Sequence, residues 1–312
     1  MSFFIANNNK IKCFDKKLFW CIIEHSMIKL YIVFALLYSV FNSFFDALKK
    51  KAVHKSSELS TLVIFTGVSF LCSLVWIPFG IGISGDKIWL FVLKGLLLTI
   101  NWFVLLRVLK DADVSLVALT TVVSAVITFA VGIIGFGETA TVIQYIGAGL
   151  TILGAVLINL TGKKENGKVN VKTIILLMIS AIIGAVSAVI DKYTTQTLSA
   201  YQVQFWFLLF VFVFSCIFFA VECVKEKKFL IQKSDFKNYW IYIVGIALFL
   251  GDFFLFLSYT MTGSKMIIIT TISKFKVVIS VLIGILLYKE KNVVKKLLIS
   301  LLVFAGILLV SL

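Results

Sequence analysis

Apolar runs of about twenty residues, the length a helix needs to cross a bilayer, recur along the chain between short charged breaks. They predict ten helices, over 27–48, 59–81, 88–109, 114–135, 142–160, 173–193, 202–222, 239–259, 264–287 and 293–312. The ninth run breaks its own pattern, because Lys274 and Lys276 stand near its middle. A lysine at bilayer depth costs about 3 kcal/mol on insertion scales and therefore faces a bundle interior or a wet cavity rather than lipid. At ~100° per residue, Ser273, Lys276, Ser280 and Gly284 share one narrow polar face. Lys274 lies roughly 160° from Lys276 on that projection, so one lysine is expected to make an ion pair and the other to meet a ligand.

The pattern recurs 152 positions earlier, where Thr121, Ser124, Thr128 and Gly132 match those four residues and Glu138 matches Glu290. Nearer the start of each half the offset is 145, which sets Asn42 and Asp46 against Ser187 and Asp191. The longer loop KEKKFLIQKSDFKN between the seventh and eighth runs accounts for the change, and the fifth and tenth runs agree at Gly154 and Gly306. The chain thus reads as a polar tail over 1–26, a first five-helix repeat over 27–160, a hydrophilic linker over 161–172 and a second repeat over 173–312. Five is odd, so the second copy must enter the membrane from the opposite side. The expected fold is an all-α integral membrane protein of ten spans in two inverted five-helix repeats, an arrangement whose substrate sites lie near the midplane between the halves.

Composition narrows the classes. With 61% hydrophobic and 14% charged residues, the chain carries too much apolar surface for a soluble domain, and the lipid bilayer becomes its first partner. The formal charge of +15 does not point to nucleic acid, since the lysines sit in short clusters between apolar runs, as loop charges and orientation signals. Loops after the odd-numbered runs are the more basic, which would place them in the cytoplasm and both termini outside. Lys10, Lys12, Lys16 and Lys17 of the tail argue the other way, and orientation stays open. A bacterial inner membrane is the expected location, and the tail lacks the basic-then-apolar order of a cleaved leader.

Cys13, Cys21, Cys72, Cys216 and Cys223 show no CxxC spacing and read as small apolar residues. His25 and His54 lie outside every predicted run, so no metal or cofactor is expected. No nucleotide-binding or hydrolase motif sits in a loop able to support it, which argues against an enzyme and against an ATP-driven pump.

Among single residues, Lys276 is the leading candidate: a cation that attracts a carboxylate or phosphate, or else the cationic half of a structural ion pair. Asp252, in LFLGDFFLFL, is expected either to meet a lysine of the ninth run or to bind a proton. Lys94 and Asn101 share a face of the third run; Asn101 suits hydrogen bonding to substrate, while Lys94 is expected to snorkel to the nearer interface. Trp102 either stacks on a substrate ring or packs.

Asn42 and Asp46 lie on one face with Tyr38, and Ser180, Gly184, Ser187 and Asp191 form the corresponding stripe. Small residues there permit close helix approach. The expected binding set is Asn42, Asn101, Trp102, Ser124, Asp252, Ser273, Lys274 and Lys276, with Asp46 and Asp191 as gate residues or interface charges. Glu138 and Glu290 are expected to cap the helices that come after them.

Five-plus-five runs, the short links GFGET and LYKEK with their glutamates, and the glycine-bearing runs QYIGAGLTILGAVLINL and LLISLLVFAGILLVSL together resemble the drug/metabolite transporter superfamily, specifically its ten-span EamA-type members. The resemblance covers 27–312. It implies a basket-shaped bundle whose cavity is lined chiefly by the first, third, fourth, sixth, eighth and ninth helices, with the fifth and tenth at the periphery. It also implies carriage of amino acids, other metabolites, drugs or organic phosphates.

The ninth run departs from the commoner pattern. SKFK replaces proline and small apolar residues, somewhat as basic residues occupy that helix in the phosphate-carrying branches. The resulting expectation is a secondary transporter that moves a small polar metabolite by alternating access, with an anionic substrate favoured by the lysines. Coupling to protons or to exchange stays open. The alternatives are an antiporter for an organic phosphate or nucleotide sugar, which would gather several basic groups on one cavity, and a non-transporting flippase subunit for a lipid-linked sugar.

Overall fold

The computed structural model describes residues 30–111, 114–160, 171–276, 278–279, 282–283 and 293–312. The expectations for the tail 1–26, the linker 161–170 and Ser280, Gly284 and Glu290 fall outside them. Among the described residues the regular elements are helices. They are α1 Leu30–Lys55, α2 Glu58–Ser73, α3 Gly85–Asp111, α4 Val114–Phe136, α5 Val142–Leu160, α6 Val171–Thr195, α7 Ala200–Glu226, the short α8 Lys233–Phe236, α9 Tyr239–Thr260, α10 Met266–Ile272 and α11 Val293–Ser311. α1, α2 with the turn after it, α3, α6, α7 and α9 are each long and apolar enough to span a membrane. α4, α5 and α11 offer shorter apolar stretches, Ser124–Phe136, Val142–Gly154 and Leu298–Val310. The chain is thus a multi-pass membrane protein with six clear spans among the described residues.

Local chemistry sets the helix ends. The Ser57 side chain accepts from the Ser60 N–H at the start of α2, and Ser199 and Gln202 form a reciprocal capping box at the start of α7, which satisfies donors that a helix leaves free. After α2 the chain continues as a 3₁₀ turn, Leu74–Phe79, that contains Pro78 and ends at Gly80 with φ 84°. Proline removes a donor, and only glycine takes that positive φ freely.

The predicted single helix over 264–287 is interrupted. α10 stops at Ile272, residues 273–274 form a turn, and helical geometry resumes at 275. The Lys274 N–H donates to Thr271 O at 3.0 Å and the Lys276 N–H to Ser273 O at 3.3 Å, each spanning three residues rather than four. Such a tightened turn inside an apolar run rotates the next helical segment and often marks a hinge.

α1 stabilises the break. Ser39 Oγ donates to Ile272 O at 3.2 Å and Ser43 Oγ to Lys276 O at 3.0 Å. Each hydroxyl proton is shared with a carbonyl of its own helix, Ala35 O for Ser39 and Ser39 O for Ser43, so a polar ladder links the two segments.

The helices matched by the internal repeat run antiparallel. Glu138, just past the end of α4, accepts from the first N–H groups of α10. Gln144 at the start of α5 donates to Val310 O at the end of α11, and Trp76, just past α2, donates to Gln204 near the start of α7. Tyr31 near the start of α1 and Lys192 near the end of α6 both lie by Glu138. Lys87 at the start of α3 donates to Thr197, while Tyr259 at the end of α9 holds Ser264 on the same side. Matched pairs that run in opposite senses are what an inverted repeat requires.

This geometry defines two ends: the Glu138 end, and a lysine-rich end carrying Lys50, Lys51 and Lys55 in the last turns of α1 and Lys225, Lys227 and Lys228 at the end of α7. α5 and α11 cross closely because both offer glycine. A Cβ at Gly147 would stand 2.6 Å from Gly306 O, and one at Gly154 would stand 2.6 Å from Val303 Cγ2, the close approach that small residues give membrane helices.

Candidate functional site

The broken ninth run places Lys276 against α1. Its Nζ lies 3.0 Å from Asp46 Oδ2 and donates to Asn42 Oδ1 at 2.9 Å. Asn42 and Asp46 are one helical turn apart and so present both acceptors to one ammonium. Lys49, three residues on, reaches the other carboxylate oxygen, Asp46 Oδ1, at 2.8 Å and rests 4.1 Å from the Phe45 ring centre. Lys274 lies within electrostatic reach of both Lys276 and Asp46, and its side chain has no hydrogen bond or ion pair among the described residues. Three lysines thus gather around one carboxylate. The site is partly open, with the Asp46 side chain 36% and the Lys276 side chain 17% exposed.

A second charged group lies deeper. Lys94 of α3, only 2% exposed, pairs with Asp191 of α6. Its ammonium stands 3.9 Å from the Phe207 ring centre and 4.9 Å from that of Phe256, so aromatic faces supply part of the stabilisation lost with water. Asp252, one turn before Phe256 on α9, lies within electrostatic reach of Lys94 and Asp191 but outside ion-pair contact.

At the Glu138 end the carboxylate bridges the halves. It accepts from Met266 N–H at 2.5 Å and from Ile267 N–H at 3.0 Å, and Lys192 lies 3.9 Å away. Lys192 Nζ donates to Ser264 O at 2.7 Å and to Ser264 Oγ at 3.1 Å.

A duplication is also what the comparisons with known proteins return. The model of the EamA-like transporter family matches residues 29–160 and, again, 171–312. The chain belongs to the EamA-like transporter family. Each match covers one repeat, and the family assignment makes the protein a membrane transporter of the drug/metabolite type. A solved structure described only as "Crystal structure of protein" shares the fold, with a TM-score of 0.67 at 16% identity over 92% of this chain and 98% of its own. The comparison with curated proteins found no match.

Within this EamA-like transporter, the expected residues fall in different surroundings. Lys276, Asn42 and Asp46 converge. Asn101 is buried, and its Oδ1 has no hydrogen-bond partner among the described residues. Ser124 lies by Gly184, its Oγ 3.5 Å from where a Cβ there would stand, and Ser273 turns back to Thr270 O at 2.7 Å. Trp102 packs, its ring centroid 5.7 Å from that of Phe45, 5.6 Å from Phe65 and 6.3 Å from Phe207.

Other readings are corrected. Asp252 does not meet a lysine of the ninth run; the cation in its reach is Lys94. Lys94 does not snorkel, because Asp191 and two phenylalanine rings hold it inside. The two lysines of the ninth run both approach Asp46 electrostatically, the tight turn having altered the straight-helix projection. Glu138 caps α10 in the other half rather than α5, whose own start is closed by Thr141 and Gln144. Lys49 joins the site rather than the loop lysines, and its spacing of three from Asp46 is the sequence signal that could have placed it there.

Proposed function

We propose that this EamA-like transporter is a secondary carrier that moves a small polar metabolite with an anionic group, by alternating access between its two halves. The observation that carries this reading is the surplus of positive charge where Lys49 and Lys276 both pair with Asp46, with Lys274 close by. Pairing with Asp46 holds Lys276 in place, and the remaining positive charge attracts a carboxylate or phosphate. Asn42 and the unpartnered Asn101 Oδ1 offer hydrogen bonds to the rest of the substrate. Asp46 and Asp191 each pair with a lysine of the opposite half, and so each is an interface charge whose partner changes position if the halves rock.

The lysine-rich end is assigned to the cytoplasm by the positive-inside rule, in a bacterial inner membrane. The Glu138 bridge then joins the two halves at the opposite, outer end. The convergence of three lysines also favours a second reading, an exchanger for an organic phosphate, over a carrier of neutral compounds.

Lys276→Ala is expected to abolish uptake or efflux in proteoliposomes while leaving thermal unfolding and size-exclusion behaviour near those of the parent, and Lys276→Arg is expected to retain part of the rate. Transport by Lys276→Ala at the parental rate would remove this lysine from the site.

A further inference from the structure

The buried cluster around Lys94 holds more carboxylate than its lysine balances. Lys94 is committed to Asp191, and Asp252, 9% exposed, has neither an ion pair nor a hydrogen bond among the described residues. The charged groups facing Asp252 are Lys94 from α3 and Asp191 from α6, and the Tyr38 hydroxyl of α1 lies within electrostatic reach. Tyr259 is the other titratable group of α9 within reach of Asp191. α2, α7 and α10 add no further charge there among the described residues. α7 instead contributes the Phe207 ring beside Lys94. Two carboxylates and one ammonium leave a net negative charge between apolar walls, which is costly unless a proton neutralises it.

We propose that Asp252, with Asp191 and Lys94, forms a proton-binding site between the two halves of the protein. The proton resides on a carboxyl oxygen of Asp252, which becomes neutral and leaves the Lys94–Asp191 pair balanced. Release returns one net negative charge to the cluster, so it needs Lys94 to move between Asp252 and Asp191 and water to reach them. The topology links that release to movement, because Lys94 belongs to the first repeat while both aspartates belong to the second. Use of this proton as the coupling ion rests on the transporter reading; its binding does not.

Infrared difference spectroscopy of the full chain in lipid nanodiscs, titrated with acid and base alone, reads the site directly. The expected result is one buried carboxylic-acid C=O band that appears on acidification, persists in Asp46→Asn and is lost in Asp252→Asn. In Asp191→Asn, Lys94 is freed for Asp252, and the band is expected to appear only at lower pH. Asp252→Glu keeps an acid in place and is expected to retain a band at a shifted frequency, which covers a failure of the asparagine variant to fold. A parent protein without a titrating buried band, a band that survives in Asp252→Asn, or a midpoint unmoved in Asp191→Asn would overturn the proposal. No substrate enters this measurement. A band in a protein that transports nothing would therefore sustain the proton site and remove the transporter reading, whereas transport without the band would do the reverse.

Discussion

Lys94→Met is expected to lower the stability of the folded protein by about 3–5 kcal/mol, the range found when one partner of a buried ion pair is removed. The physical reason is the stranded charge rather than the lost attraction. Lys94 is the counter-charge of Asp191 and the cation in reach of Asp252, and methionine fills its place between Phe207 and Phe256 without balancing either carboxylate. Asp191→Asn should cost less, because Asp252 remains available to the lysine. The double variant Lys94→Met with Asp191→Asn should recover part of the single loss, a coupling that a double-mutant cycle reads. Reversible unfolding in mixed detergent micelles measures all three. A Lys94→Met variant within about 1 kcal/mol of the parent, well below that range, would show that the cluster is hydrated or neutral in the folded state.

Glu138→Ala is expected to loosen the contact between the two halves at the Glu138 end. The Glu138 carboxylate takes two N–H groups at the start of α10, and hydrogen bonds to a charged group are worth about 1.5–3 kcal/mol each. It also balances Lys192, which in turn holds Ser264. Its removal leaves the contact between the α4–α5 link and α10 without its bridging acceptor, and under the proposed alternating access this end then opens more often. In a background without native cysteines, Met266→Cys, at a side chain now fully buried, should react with a membrane-impermeant maleimide at least about tenfold faster when Glu138→Ala is added, the factor that 1.4 kcal/mol confers. Equal labelling rates would mean that Glu138 caps a helix without acting as a latch.

Much of the architecture is legible in spacing, because duplication preserves it. Asp46 and Asp191, Glu138 and Glu290, and Gly154 and Gly306 recur at nearly fixed offsets, and the described helices that these offsets match run in opposite senses. Residues that act within one helix or against an adjacent turn are also within reach of pattern, as with Asn42 and Asp46 on one face of α1.

Which charges meet across the bundle is not legible in the same way. Lys94 and Asp191 lie on different helices in different repeats, and their offsets pair Lys94 with Ile246 rather than with any charged residue. Their meeting depends on how α3 packs on α6, which no local pattern records. The break at Ser273 escapes for a related reason. No proline or glycine stands at 273–274, and the turn is supported from outside by Ser39 and Ser43 of α1.

An anion-attracting interior at Lys276 is the central claim, and ligand-induced stabilisation tests it most directly. A bound ligand raises thermal stability by mass action, so the parent and Lys276→Ala can be melted side by side against matched anionic, neutral and cationic metabolites. The compounds that raise the parent's melting temperature are expected to carry a carboxylate or phosphate, and Lys276→Ala is expected to lose the effect. Stabilisation by neutral or cationic compounds, equal in both proteins, would contradict the claim.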